Sequence, residues 1–307
     1  MWQPEPGWTP LRLGGGASTV GLWRAERQGR GVVVKRLARP GPDEPAALSD
    51  PTHAGYWRRE AEVALDPAVV DGPGVVTPAY LRVDEDDEGV TLWSEELVAE
   101  PPPALQVAHE LGRFSAAEYV EVPWAARRTL VDRLAMAEVR GGWPTLGRTP
   151  VADVADHLWH RRSHWLREYA GAPPGRLHGD AVPANFPAVR PGDGGDVVVA
   201  VDWQGFGLGP VGTDLGYYAL STREDFEVLL DAFLAGVRTV RSEVDDGPIR
   251  IAATVMCVYS AMSRAEWALS RVAPGEGALH GKFNHPSVAP YLRALQRHLP
   301  QVEALLE

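Results

Sequence analysis

The chain is poor in features that mark several protein classes. Its 307 residues include one cysteine, Cys257, which excludes an internal disulfide or a cysteine-rich metal site and suits a reducing cytoplasm. No apolar run approaches the roughly 20 residues of a membrane-spanning helix. The start, Met1-Trp2-Gln3-Pro4-Glu5-Pro6, has no basic region before an apolar stretch, so no signal peptide is visible. No fixed-period repeat is present. Positive charge is the minority sign, with 30 Lys and Arg against 41 Asp and Glu and a formal net charge of −11. That balance argues against nucleic acid or an anionic membrane as the main partner. It is compatible with a cationic substrate, although acidity alone often serves only solubility. Oligomeric state is not legible.

What is present is an ordinary globular composition, 45% hydrophobic and 23% charged, in a length that allows two domains or lobes. The most informative stretch runs from Leu177 to Trp203. His178-Gly179-Asp180 places a histidine and an acid on either side of a glycine, as a tight loop can. Asn185 follows five residues later, and Asp202 ends the apolar run Val197 to Val201. Pro191-Gly192-Asp193-Gly194-Gly195 between them predicts a hairpin that brings Asn185 and Asp202 to one end of two paired strands. A carboxylate can take a hydroxyl proton, and Asn and Asp oxygens suit Mg²⁺. A base and two magnesium ligands together are the equipment of phosphoryl transfer.

The spacing His-x-Asp-x-x-x-x-Asn, with a later Asp beyond a hairpin, is that of the kinase catalytic loop. In this form, with Gly179 after the histidine and Trp203 after the second acid, the chain resembles the aminoglycoside phosphotransferase family of kinase-like small-molecule phosphotransferases, related to choline kinases. The resemblance implies an α+β, bilobal protein-kinase-like fold. A small antiparallel β lobe with one helix would occupy residues 1–100 and bind nucleotide; a larger, mostly helical lobe, 101–307, would carry catalysis and the acceptor. It further implies ATP and Mg²⁺ as partners, Asp180 as catalytic base supported by His178, and Asn185 and Asp202 as metal ligands.

The first half supplies the remaining parts. Gly14, Gly15, Gly16, Ser18 and Thr19 lie in a glycine-rich turn, which is either a common hairpin turn or a phosphate cradle. The third kinase glycine is replaced there by Ser18 and Thr19. Lys35 sits inside the β-branched run Gly31 to Leu37, where burial without a partner is costly. In kinases that strand lysine holds the phosphates. Residues 56–65 read as a helix; by resemblance Glu60 pairs with Lys35, the alternative being a glutamate that faces water. Strands are expected over 77–83 and 90–98, joined by a solvated acidic tip. By position, Glu95 to Val98, including Glu96 and Val98, would pair their backbone with adenine, and Pro101-Pro102-Pro103 marks the lobe boundary.

Residues 1–10 are expected to wander over the surface. Helices are expected from 104 onward, over 124–139, 151–169, 226–240, 249–269 and 288–306. His157, His160 and His164 share one face of the third of these, which suits either a metal or a packed amphipathic helix. By resemblance Asp214 opens a helix and braces the catalytic loop. Only about a dozen residues separate it from Asp202, too few for a protein-kinase activation segment. The expected activity is therefore transfer of the γ-phosphate to a small-molecule hydroxyl, foremost on an aminoglycoside-type or other antibiotic, which would make the protein a resistance enzyme. Alternatives are a metabolite kinase acting on a sugar or amino alcohol, or a nucleotide-binding module without turnover. Asp225, Glu227, Glu266 and Trp267 are candidate acceptor-lining residues.

Overall fold

Lys35 lies on β3 (Arg30–Ala38), the middle of a five-stranded antiparallel sheet ordered β1-β2-β3-β6-β5 in a computed structural model of the chain. The other strands are β1 (Thr9–Pro10), β2 (Thr19–Arg27), β5 (Tyr80–Asp86) and β6 (Gly89–Glu95). The structure describes residues 2–11, 18–141, 150–192, 195–270 and 289–306. Gly14, Gly15 and Gly16 lie outside these residues. Strand alternation gives the sheet two unlike faces. Leu37, Val90 and Leu92 face α1 (Arg59–Leu65), packing on Trp57, Ala61 and Ala64. Val32, Val34, Ala25 and Trp93 point the other way, where Trp8 packs on them.

That second face corrects one expectation. Residues 2–11 do not wander; they form a strap across the sheet. Trp2 packs on Trp23 with 5.2 Å between ring centroids, and Trp8 meets Trp93 edge-on at 5.2 Å. The Arg36 guanidinium lies 5.2 Å from the Trp2 ring. The proline-rich composition said nothing of this, because the contacts are between tryptophans far apart in sequence. The acidic tip is likewise more than a solvated turn. Asp86 accepts from Arg36 at 2.6 Å and Glu85 from Arg58 at 2.8 Å, while Asp84 accepts from Trp93 Nε1 at 3.0 Å.

The chain crosses to the helical body before the proline run. β4 (Val75–Val76) pairs in parallel with β9 (Gly195–Val199), itself the antiparallel partner of β8 (Ala188–Gly192). The expected hairpin between Asn185 and Asp202 is this β8–β9 pair. Beyond Pro103 come α2 (Ala104–Ala116), α3 (Thr129–Val139), α4 (Pro150–Tyr169), α5 (Thr213–Ala219), α6 (Phe226–Val240) and α7 (Asp246–Ser270). The core of this body is built from residues such as Leu111, Phe114, Trp203, Phe233 and Met256. Two helices differ from expectation. α3 begins at Thr129 because Ala126 is held in strand-like contact with β10 (Gly207–Pro210), accepting from Leu208 N at 2.8 Å. The last helix is two, α8 (Ala289–Arg297) and α9 (Leu299–Ala304), broken at His298 just before Pro300, which has no N–H to continue the ladder.

The result is the expected bilobal α+β, kinase-like arrangement, with a small antiparallel β lobe capped by α1 and a larger helical lobe. Among the described residues no helix is long and apolar enough to cross a membrane. The strap makes a stability prediction. Deleting residues 1–8 removes two half-buried tryptophans from the sheet and should lower the unfolding free energy by about 3 kcal/mol at roughly 1.5 kcal/mol per indole. Chemical denaturation checks this; an unchanged midpoint would return the segment to a free tail.

Candidate functional site

The strand, the helix and the hairpin deliver three charged groups to one point. Lys35 Nζ donates to Glu60 Oε2 at 2.5 Å and to Asp202 Oδ1 at 2.7 Å. Lys35 and Glu60 are 7% and 4% exposed, so a glutamate facing water is excluded. Burial alone would lower the lysine's pKa, but Glu60 and Asp202 more than reverse this and raise it. Burial, with Asp202 adding a like charge, pushes the Glu60 carboxyl up against the opposing pull of Lys35. Two carboxylates share one ammonium, so the cluster has one negative charge to spare. That surplus suits a cation brought in with the ligand.

Asp202 adopts a left-handed backbone, φ 64° and ψ 61°, a region that Asp tolerates better than most residues. The turn swings the chain so that Trp203 enters the core while the Asp202 carboxylate stays in the cleft. Trp203 is fully buried, donates from Nε1 to Ala200 O at 2.9 Å and packs on His178 with centroids 4.7 Å apart. The bulky residue after the acid is therefore a wall against the catalytic-loop histidine.

His178 is itself fully buried between Trp203 and Phe186. Its Nε2 donates to Val201 O at 3.0 Å, and its Nδ1 accepts from Asp180 N at 3.3 Å. These partners match the tautomer protonated on Nε2. The ring thus ties the loop to the end of β9 and does not face the cleft. Asp214, in the first turn of α5, accepts from His178 N at 2.6 Å and from Gly179 N at 2.9 Å. Its carboxyl is fully buried, and burial raises its pKa. This is the bracing role the resemblance implied. Asp180 is left half-buried at the loop's tip, with Asn185 Nδ2 donating to its carbonyl at 2.8 Å and to Oδ2 at 3.3 Å. With its nitrogen so engaged, Asn185 presents Oδ1 as its free end. Asn185 O in turn accepts from Val201 N at 2.9 Å, which places it beside Asp202.

The two loops touch through glycine. Gly179 has φ 78°, and a Cβ there would lie 1.9 Å from Gly205 O; a Cβ on Gly205 would lie 2.6 Å from Gly179 C. Side chains at either position would hold the catalytic loop and the Asp202 turn apart.

Two residues that sequence reasoning missed tie these loops to the small lobe. Arg59, next to Glu60, is fully buried and, among the described residues, forms no ion pair with a carboxylate. It donates to Trp124 O at 2.7 Å, Gln204 O at 2.7 Å, His53 O at 2.7 Å, Pro51 O at 2.8 Å and Ala54 O at 3.1 Å. Burial pulls its pKa down to about 10, still high enough for a cation at neutral pH. Gln204 Nε2 donates to Ser18 Oγ at 2.9 Å and to Thr19 Oγ1 at 3.2 Å. Ser18 and Thr19, which follow the glycine run in sequence, are thereby joined to the residue two past Asp202. The arginine-glutamate pair 59–60 was visible in sequence, but backbone acceptors leave no sequence trace.

The other expected residues fall as follows. Glu96 N donates to Gly31 O at 3.2 Å and its side chain pairs with Arg24 at 2.7 Å. Val98 is 87% exposed, so its backbone rather than its side chain is the usable part. Asp225 caps α6, accepting from Glu227 N at 2.8 Å, and Glu266 accepts from Arg140 Nε at 3.0 Å. Glu227 pairs with Arg250. His160 Nδ1 bonds Asp156 O at 2.8 Å and His164 packs on Trp165, as in a packed helix. An apolar cavity lined by Val154, Leu158, Met262, Leu295, Leu299 and Val302 contains none of the residues above. It lacks charged groups for phosphate and is not the centre of this chemistry.

Comparison with known proteins agrees with this geometry. The sequence profile described as the phosphotransferase enzyme family matches residues 10–246. No curated protein matches the chain in sequence. Similar solved structures include a choline/ethanolamine kinase family protein from Mesorhizobium loti, 16% identical with a TM-score of 0.56, covering 97% of this chain and 94% of that one. The microcompartment-associated aminopropanol kinase is 14% identical with a TM-score of 0.61, over 98% and 93%. The GDP complex of aminoglycoside 2'-phosphotransferase-IIIa is 14% identical with a TM-score of 0.57, over 97% and 93%. At these identities the likeness is one of fold.

The brace is testable through stability. Asp214→Ala leaves two buried N–H groups without an acceptor and should cost about 4 kcal/mol, at roughly 1–3 kcal/mol for each. Asp214→Asn keeps one acceptor oxygen and should cost about half as much. Equal midpoints for both variants in urea would show that the two bonds do not support the loop.

Proposed function

The chain belongs to the phosphotransferase enzyme family, and on that premise we propose that it is an ATP- and Mg²⁺-dependent kinase acting on a small-molecule hydroxyl. The observation that carries this reading is Lys35 held between Glu60 and Asp202, beside the Asp180–Asn185 pair. A buried lysine with two carboxylates is a prepared phosphate contact, and Glu60 fixes its direction. Ser18 and Thr19, held by Gln204, anchor one end of the turn over the phosphates. The adenine edge meets the backbone of Glu96 to Val98.

Asn185 Oδ1 and the Asp202 carboxylate fit Mg²⁺ by donor chemistry, being two hard oxygens that leave positions for phosphate and water. Bound there, the ion would neutralise charge between the β- and γ-phosphates. Asp180 orients the acceptor hydroxyl and takes its proton as the acceptor oxygen bonds to the γ-phosphorus and the bond to the ADP oxygen breaks. His178 serves by holding the loop.

Between Asp202 and Asp214 the chain is used up by a 3-10 turn (Trp203–Gly205), β10 and the entry to α5. No segment is left to bind a peptide, which supports a small acceptor. An aminoglycoside-type antibiotic and a metabolite such as a sugar or amino alcohol both offer a suitable hydroxyl, and fold does not choose between them. A module without turnover is disfavoured because the catalytic positions are all filled. ADP release with Mg-ATP over a panel of antibiotics, sugars, amino alcohols and hydroxy acids tests the activity.

Two variants test the roles. Asp202→Ala should abolish most of the gain in ATP affinity that Mg²⁺ gives; calorimetry showing the same Mg²⁺ dependence would remove Asp202 from the metal. Asp180→Asn should keep nucleotide affinity within about threefold while turnover falls at least about a hundredfold, in the range of general-base effects. Near wild-type transfer by that variant would put the catalytic centre elsewhere.

A further inference from the structure

The acceptor must approach Asp180, and two arginines of the helical lobe lie close to the loop that carries it. Arg133, on α3, donates from Nη2 to Gly179 O at 2.5 Å, so it is fastened to the peptide that precedes Asp180. Its guanidinium also lies 4.2 Å from the centroid of Tyr217, on α5. Arg264, on α7, lies 4.1 Å from the same ring and, among the described residues, otherwise reaches Ser221 Oγ at 3.5 Å. Tyr217 is 7% exposed, while both arginines remain partly open to solvent.

Neighbouring positions on the same two helices make the contrast. Arg140, two turns beyond Arg133 on α3, forms a forked ion pair with the buried Glu266 of α7. Arg128 pairs with Asp132 at 3.7 Å. At the end nearest Asp180 the corresponding cations have no such partner: among the described residues, neither Arg133 nor Arg264 pairs with a carboxylate. The nearby acid Asp214 is buried and occupied by two backbone N–H groups. Two like charges on one ring repel each other, and among the described residues most of their N–H donors have no acceptor. An anion that joined them would relieve that repulsion and use those donors. A polycationic acceptor would add a third positive charge to the same place.

We propose that Arg133 and Arg264, laid on Tyr217 beside the Gly179–Asp180 peptide, form an anion-recognition subsite, and that the acceptor is a small hydroxyl compound carrying a carboxylate or a phosphate. This rests on the reading of Asp180 as the group that receives the acceptor hydroxyl. It narrows the metabolite alternative and turns away from an aminoglycoside. The guanidiniums select and orient the acceptor; they take no part in the proton transfer.

Matched three-carbon probes test the subsite: D-glycerate and glycerol 3-phosphate as anions, glycerol as the neutral form and serinol as the cation, with kanamycin beside them. Calorimetry in the presence of Mg²⁺ and a non-hydrolysable ATP analogue should show at least one anionic probe binding at least tenfold tighter than glycerol, serinol and kanamycin. Which of the two anions prevails separates a carboxylate from a phosphate. Arg264→Gln, chosen because it touches neither loop, should weaken that probe at least tenfold, and Arg264→Lys should recover part of the loss. In ADP-release kinetics Arg264→Gln should raise the acceptor KM far more than it lowers kcat. Tighter binding of serinol or kanamycin, or no binding of either anion, overturns the proposal. So does a variant that raises the KM for ATP as much as that for the acceptor, which would assign the guanidiniums to the donor phosphates. Anion binding that depends on Arg264 without any ADP release would instead leave the subsite standing and sink the kinase reading.

Discussion

The site depends on a backbone contact. The catalytic loop and the Asp202 turn come from segments more than twenty residues apart, and the proposed function needs Asp180, Asn185 and Asp202 within one ligand's reach. The contact between Gly179 and Gly205 makes that approach possible, since a Cβ on either would meet the other's backbone. Glycine permits closeness without enforcing it. Enforcement comes from Asp214, whose two oxygens take the His178 and Gly179 N–H groups, and from Trp203, which anchors the opposite loop in the core beside His178. A buried carboxylate is costly unless its oxygens are occupied. Here the groups that occupy it are the groups that must be placed.

Joining the small lobe to this platform poses a different problem, because Lys35 and Glu60 must meet Asp202 across a boundary between two hydrophobic cores. An ion pair alone would be a poor clasp there, since in the proposed function it is also the ligand contact and would yield when phosphate arrives. Arg59 separates the two duties. It is adjacent to Glu60 on α1, yet it spends its donors on carbonyls, including Gln204 in the turn after Asp202. Carbonyl acceptors carry no net charge, so the clasp adds nothing to the electrostatics of the cleft beyond its own cation. Lys35 is one of only two lysines in the chain. The flexible ammonium is kept in the cleft, where under the proposed function a point charge would follow phosphate oxygens, and arginine is used where fixed forks are needed.

What was legible in the sequence follows from this division. The residues that the structure gathers in the cleft were readable because their signals are short spacings, His178 to Asn185, and a charge inside a β-branched strand, Lys35. The hairpin was readable from Pro191 to Gly195, and the brace at Asp214 by resemblance. Arg59 and Gln204 were not, since what they bond to is backbone, or hydroxyls nearly two hundred residues away. The tryptophan strap and the start of α3 were missed for a related reason. Each is decided by a tertiary contact, Trp8 on Trp93 and Ala126 on Leu208, that overrides local composition.

The acceptor side shows the same limit from another direction. Read as a sum, a charge of −11 favours a cationic substrate. Read as a distribution, it does not. Glu266 and Glu227, which the sequence offers as acidic wall residues, are consumed by Arg140 and Arg250, and Asp225 by the first turn of α6. The surplus acids lie elsewhere, and screening over roughly 8–10 Å keeps distant ones from governing a local site. What an incoming molecule meets beside Asp180 is set by the charges left unmatched within that radius. Beside the Gly179–Asp180 peptide those include the two guanidiniums on Tyr217.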